Sequence, residues 1–264
     1  MAKNQLQINQ FEKDKRVFMY SKLLTILIIV GGIFALGFMW KSKQRLHAIE
    51  FVGIKTLTEH EILEKIGIEL EEHPYLRDIQ LADVKLRIKQ HPFVRTANVA
   101  HGENGKIIVT IEERLPVAAL KSSQGELRYI DRDGVILPYR LFSVVTDVPV
   151  VHGIETEGKI DTENVSGLVR ILNQVENISN GELYQAISEV FYKQNTNSFN
   201  LSTTESGISV IIGKSNELPV KIDNLVRFWK NELPKLDKQT IEYIDLRWQG
   251  QLVVKKKTST KNNI

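Results

Sequence analysis

Eighteen consecutive uncharged residues, Leu23 to Trp40, separate Lys22 from Lys41. As a helix, at about 1.5 Å per residue, this run is roughly 27 Å long, close to the hydrocarbon thickness of a bilayer. The sequence Leu-Leu-Thr-Ile-Leu-Ile-Ile-Val-Gly-Gly-Ile-Phe-Ala-Leu-Gly-Phe-Met-Trp is apolar all round, whereas a soluble surface helix needs a polar face. Tyr20 and Trp40 stand where amphipathic rings favour the headgroup level, and Lys22 and Lys41 can extend outward to the headgroups. The segment Gly37-Phe-Met-Trp-Lys41 offers no small-x-small cleavage site, so the run reads as a retained anchor rather than a signal peptide. The expected arrangement is a tail over 1–22, a transmembrane helix over 23–40 and folded chain beyond it.

The 264-residue chain leaves enough sequence after the span for one large core or two small ones. A net charge of +3, with Lys and Arg dispersed, is not the footprint of a nucleic-acid binder. The absence of cysteine suits an oxidising compartment and the cytosol equally. No internal repeat or low-complexity linker divides the chain. Residues 257–264 read as a disordered basic tail.

Leu46 to Val52 suits a strand that closes at Gly53. Thr58-Glu-His-Glu61 forms a capping box for a helix whose apolar face is Ile62, Leu63 and Ile66, with Gly67 as its C-cap. A second helix is predicted over Leu81 to Gln90, from Leu81, Val84 and Ile88, and His91-Pro92 stops it. Phe93 to Ala100 and Lys106 to Glu112 are strands, joined through Asn104-Gly105, a strong hairpin signal. The order β-α-α-β-β predicts two helices packed on a three-stranded sheet.

From Pro116 the pattern is mainly β. Asp131-Arg-Asp-Gly134 between Arg128–Ile130 and Val135–Leu137 reads as a hairpin turn; a calcium loop would need a Glu where Phe142 stands. Glu163 to Asn177 is an amphipathic helix with Val165, Leu168, Val169, Leu172 and Val175 on one face. Strands are expected at Ile187–Lys193, Phe199–Ser202 and Ile208–Ile212, while Gln194-Asn-Thr-Asn-Ser198 fits no strand pattern. A further helix, Lys221 to Leu233, aligns Leu225, Phe228, Trp229 and Leu233 as a core-packing stripe and ends near Pro234. The chain closes with Ile241–Trp248, Gln-Gly-Gln and Leu252–Lys255: strand, short Gly turn, strand.

No catalytic constellation assembles. His60-Glu61 begins a zincin motif, but Glu64 stands where the second His is needed. His47, His73, His91, His101 and His152 fall singly on loops or element ends, and Glu69, Glu71 and Glu72 form a solvated run. There is no Gly-x-Ser-x-Gly elbow, no phosphate-binding Gly loop and no cysteine nucleophile. The reading is a non-enzymatic protein without cofactor, metal, nucleic-acid or small-molecule ligand.

Several segments resemble one family. Ile49-Glu-Phe-Val-Gly-Ile-Lys-Thr-Leu-Thr-Glu-His-Glu-Ile62 resembles the opening of a POTRA domain. His91-Pro-Phe-Val-Arg-Thr-Ala-Asn-Val99 and Ile111-Glu-Glu-Arg-Leu-Pro-Val-Ala118 resemble its closing strands in the FtsQ/DivIB cell-division family. Tyr129-Ile-Asp-Arg-Asp-Gly-Val-Ile136 and Val148-Pro-Val-Val-His-Gly153 resemble the start of that family's second, β domain, and Tyr243-Ile-Asp-Leu-Arg-Trp-Gln-Gly250 its terminal signature. The resemblance implies an α+β fold: a single transmembrane helix, a POTRA domain over 46–114, and a mainly antiparallel β domain with flanking helices over 115–256.

It also implies a place in the bacterial division machinery, with the bitopic coiled-coil proteins FtsB and FtsL as partners, and a role in controlling septal peptidoglycan synthesis. The tail 1–22 carries five Lys/Arg and the first residues after the span carry Lys41, Lys43, Arg45 and Lys55. So small a difference barely sets orientation. The resemblance favours a cytoplasmic tail, a cytoplasmic-membrane anchor at the division septum and extracytoplasmic domains. The alternative is a membrane-anchored POTRA chaperone for secreted or outer-membrane polypeptides.

A last strand with no later strand to pair with exposes backbone amides and carbonyls that can take an incoming strand. The expected partner-binding residues are Arg247, Trp248, Gly250, Leu252, Val253 and Val254. The competing reading gives Lys255, Lys256 and Lys257 the task of guarding that edge against aggregation.

Overall fold

The computed structural model describes residues 22–39, 43–142, 147–156, 158–214 and 217–257. Tyr20, Trp40 and Lys41, and the two expected tails apart from Lys22 and Lys257, lie outside the described residues. Helix α1 (Lys22–Met39) has mean hydropathy 2.3 and is entirely unburied. It is the one helix among the described residues long and apolar enough to cross a membrane, and it fits a single-pass membrane protein.

Beyond α1 the chain forms two compact units. The first carries β1 (Ala48–Val52), α2 (Glu59–Ile66), α3 (Leu81–Lys89), most of β2 (Val94–His101) and β3 (Lys106–Glu113). Sheet order is β1-β3-β2, with β1 parallel to β3 and Phe51 opposite Val109. The capping box forms: Thr58 Oγ1 accepts from the Glu61 amide and the Glu61 carboxylate accepts from the Thr58 amide. Gly67 takes the left-handed cap at φ +64.

Asn104 and Gly105, at φ +54 and +74, supply the two positive φ values that a two-residue hairpin turn demands. The core is Ile62, Ile66, Val84, Ile88, Ile107, Val109 and Ile111, the apolar positions of both periodicities. The first strand begins two residues later than its pattern suggests. The Leu46 amide donates to Pro74 O at 2.8 Å instead of joining the ladder, although its side chain is fully buried.

The second unit begins with β4 (Pro116–Lys121), β5 (Leu127–Asp131), β6 (Ile136–Pro138), β7 (Val150–His152) and a small β8–β9 pair (Glu155–Thr156, Lys159–Ile160). Helices α4 (Thr162–Ser179) and α5 (Glu182–Gln185) lead to β10 (Ile187–Lys193), β11 (Ser198–Thr203) and β12 (Ser209–Gly213). Helix α6 (Leu218–Asn231), β13 (Ile241–Asp245) and β14 (Val253–Lys256) complete it. One nine-stranded sheet results, in the order β14-β13-β12-β11-β10-β7-β4-β5-β6.

Most neighbours are antiparallel, but β4–β7, β7–β10 and β12–β13 run parallel. For the last two the reason lies in the connections: α4 and α6 each carry the chain back along the sheet, and a strand entered after a crossover helix repeats the direction of the one before. Val165, Leu168, Leu172 and Val175 of α4 and Leu218, Ile222 and Leu225 of α6 cover Val151, Val190, Leu201, Val210 and Ile244 on one face. Each fully buried Leu or Ile contributes about 1.5–3 kcal/mol.

Of the stretch Gln194–Ser198, residues 194–197 are the β10–β11 connection, and Ser198 already opens β11 opposite Lys193. Asn197 accepts the left-handed conformation, at φ +48, and its side chain accepts from the Tyr192 hydroxyl at 3.0 Å. Asp131 does more than open a hairpin turn. Its buried carboxylate accepts from the amides of Asp133 and Val135 and pairs with Arg114 Nη1 at 2.5 Å.

Segments 55–57 and 92–95 also belong to this unit. The Glu113 carboxylate accepts from the amides of Lys55 (2.6 Å), Thr56 (2.9 Å) and Leu57 (3.1 Å), and from the Thr56 hydroxyl. Burial raises the Glu113 pKa, but these donors outweigh it and the carboxyl sits below its ordinary value.

The expectation of solitary histidines is corrected at three positions. His47 and His73 lie ring to ring at 5.8 Å, and His152, on β7, stacks on Phe191 at 4.8 Å with Nε2 3.1 Å from Glu189. Strand register brings His152 and Phe191 side by side, which single-residue reading does not capture.

Candidate partner-binding edge

β13 enters the sheet beside β12 and buries Ile241 and Ile244. Past its end, the Leu246 amide still donates to Ile211 O at 2.9 Å and the Leu246 side chain is buried, so the chain turns with its first residue anchored. The turn is tied by Asp245. Its carboxylate accepts from the Arg247 amide at 2.9 Å, from Arg247 Nε at 3.0 and 3.1 Å, and from Nη2 at 2.6 Å.

The Arg247 hydrogen bonds hold the Asp245 carboxyl below its ordinary range, against the opposing effect of burial. The stem of Arg247 lies across Gly213, at φ +76, where an added Cβ would come within 2.8 Å of Arg247 Cγ. Gly250, at φ +69, carries the chain back, and Gln251 N donates to Trp248 O at 3.2 Å.

β14 then pairs antiparallel with β13, with Asp245 opposite Val253 and Ile244 opposite Val254. It ends the sheet, and its outer edge has no neighbour among the described residues. Alternate amides and carbonyls along such a strand point away from the sheet. Leu252 and Val254 pack against the core, whereas Val253 is 41% and Trp248 59% exposed. All six expected residues therefore share one hairpin, in different environments: Leu252 and Val254 are inward anchors, Gly250 shapes the turn, Arg247 is engaged by Asp245, Val253 faces outward, and Trp248, though mostly exposed, also hydrogen-bonds the Asp245 carboxylate through its side chain. Lys255 pairs with Glu242 at 3.3 Å and lies over the Tyr243 ring at 5.4 Å. Of the two nearby carboxylates, Asp245 and Glu242, it is Asp245 that pairs with Arg247.

Because the folded-state pKa of Asp245 is depressed, its contribution to stability is complete above the unfolded value, about 3.9, and fades as pH falls through the lower folded value. Asp245→Asn is expected to cost about 1–2 kcal/mol at pH 7. Thermal melts of parent and variant across pH should show the gap narrowing below about pH 4. A gap independent of pH would mean the carboxylate charge contributes nothing.

No group of three or more His, Cys, Asp or Glu side chains suited to hold a metal occurs among the described residues. Comparison with known proteins places this geometry in a family. Residues 44–114 match the model described as POTRA domain, FtsQ-type, and residues 115–255 match FtsQ/DivIB, C-terminal related. The chain is 26% identical over 245 residues to the cell division protein FtsQ of Rhodothermus marinus, covering 89% of this chain and 87% of that one. It is 27% identical over 243 residues to FtsQ of Salinibacter ruber, with 86% and 90% covered. A shorter match, 26% over 142 residues, reaches FtsQ of Myxococcus fulvus, with 52% and 47% covered. With the C-terminal model spanning more than half of its residues and the POTRA model the stretch before, the chain belongs to the FtsQ/DivIB family of cell-division proteins.

Proposed function

We propose that this protein is a non-enzymatic scaffold of the bacterial divisome that binds FtsB-like and FtsL-like bitopic proteins and so helps control septal peptidoglycan synthesis. In this reading α1 anchors it in the cytoplasmic membrane, with its tail inside and the functional domains 46–114 and 115–256 outside. The single observation that carries the reading is the open outer edge of β14, beside exposed Trp248. A partner strand laid along it gains main-chain hydrogen bonds, and the protruding side chains set specificity. The same reading ascribes no catalysis to the chain; its use is to hold partners together at the septum.

Crosslinking in membranes, pull-down of the full chain and mass spectrometry test the proposal. One or two small bitopic proteins recovered at high occupancy are expected. A broad spectrum of unfolded polypeptides would instead identify a POTRA chaperone and overturn it. Topology has its own test. Alkaline phosphatase fused after Lys257 is expected to be active, and the same enzyme fused to the N-terminus inactive. A mature N-terminus at residue 41 or later would exclude a retained anchor.

A further inference from the structure

The helices cover only one face of the nine-stranded sheet. Val190, Leu201 and Val210 point into the covered core, so their strand neighbours Phe191, Asn200 and Ser209 point to the other face. On that open face lies a cleft of about 410 Å³, lined by His152, Phe191, Lys193, Asn200, Ser202 and Ser209. Asn200 is 8% exposed, and its Oδ1 is buried with no hydrogen-bond partner among the described residues. One other side-chain atom shares that condition, Oε2 of Glu155 on β8. Among the described residues the other buried polar side chains are satisfied: Ser179 Oγ donates to Val175 O, Thr203 Oγ1 to Glu205 O, and Asp245 binds Arg247. A buried carboxamide oxygen without a donor is a standing cost to the fold unless a ligand supplies the missing group.

We propose that this cleft binds an extended peptide segment bearing a free carboxylate. The Asn200 carboxamide can accept an N–H at its oxygen and donate from its nitrogen, the complementary pair that one peptide group offers. Phe191 is stacked on His152 with an interplanar angle of 11°, forming a flat apolar wall for a side chain. Lys193 is exposed and has no ion-pair partner among the described residues, so it supplies the cation. Glu189, two strand positions before Phe191 and already set against His152, repels an anion from that end and fixes the carboxylate at the Lys193 end. A neutral saccharide would leave the lysine unanswered. The site sits on β7, β10, β11 and β12, away from the β14 edge, and does not rest on strand addition there.

Titration of the full chain in nanodiscs tests the proposal. The probes are acetyl-Ala-Leu-Ala-Ala with a free carboxylate, its C-terminal amide, and chitotetraose. The acid is expected to bind in the millimolar range and at least about fivefold tighter than the amide, as a single charge-assisted contact allows. Asn200→Leu and Lys193→Ala are each expected to weaken the acid by about fivefold or more. Trp248→Ala is expected to bind it as the parent does.

Asn200→Leu is also expected to melt about 2–4 °C higher than the parent, since it removes an unsatisfied buried group of similar size. Equal binding of acid and amide, preference for the saccharide, undiminished binding by Asn200→Leu, or no binding at all would each overturn the proposal. A lower melting temperature for Asn200→Leu would do so as well, because it would show that the carboxamide is already satisfied.

Discussion

Trp248→Ala is expected to weaken binding of the division partner by about thirtyfold or more, equivalent to roughly 2 kcal/mol, while the chain melts close to the parent temperature. The indole is 59% exposed at the turn beside the open edge, so truncation removes little buried area, and the Asp245 carboxylate, which loses its Trp248 hydrogen bond, is still held by Arg247. In a complex the same ring can be wholly desolvated, the condition under which aromatic residues become hot spots.

Val253→Pro probes the backbone independently of the side chains. Val253 is exposed and sits on the edge strand opposite Asp245. Proline there removes an amide and fixes φ near −65°, which an edge strand tolerates far better than a central one. Binding to a soluble segment of the partner recovered by crosslinking is measured by titration of the full chain, with circular dichroism and thermal melting as controls on folding. If both variants fold and bind like the parent, the β14 edge is not the interface.

The elements with a strong local period are legible in the sequence nearly to the residue. Thr58 and Glu61 announce α2 because each satisfies the other's orphan backbone group, a local transaction that needs no tertiary contact. Asn104-Gly105 announces its hairpin because both positions need positive φ. Pairing between distant strands is another matter. The parallel neighbours β7–β10 and β12–β13 depend on how α4 and α6 pack, and no window of sequence contains that information.

The candidate site divides in the same way. The hairpin of β13 and β14 is legible from its short Gly turn, and the Asp-x-Arg spacing of Asp245 and Arg247 hints at a tie across that turn, whereas the edge position of β14 is seen only in the sheet order. The split between inward Leu252 and Val254 and outward Val253 follows from strand alternation once the register is known. Nothing local, by contrast, marks Asn200. An asparagine in Ser-Phe-Asn-Leu reads as an ordinary polar strand position, and only the approach of β7, β10 and β12 around it makes the carboxamide buried and unsatisfied.

The largest stability effect outside the apolar core is expected at Glu113. Glu113→Ala should lower unfolding free energy by about 3 kcal/mol, because it strands several donors at once: the Lys55, Thr56 and Leu57 amides and the Thr56 hydroxyl. Glu113→Gln keeps one acceptor oxygen, and its loss should be about half as large. The neighbouring Arg114–Asp131 pair is unaffected by either change, so both variants should retain the β5–β6 hairpin.

The pH dependence separates charge from shape. Burial raises the Glu113 pKa, but the four donors outweigh it and leave it below the unfolded value. The carboxylate's contribution is therefore complete above the unfolded glutamate range, about 4.3, and is lost as pH falls through the lower folded value. Chemical denaturation of parent, Glu113→Ala and Glu113→Gln at pH 7 and at about pH 3.5 should show the parent's advantage over Gln shrinking in acid. The step from Gln to Ala, which removes only a neutral acceptor, should stay nearly constant. An Ala variant as stable as the parent would mean that water satisfies the 55–57 amides equally well. In that case the Glu113-Arg114-x-Pro116 sequence would owe its form to Arg114 and Pro116 alone.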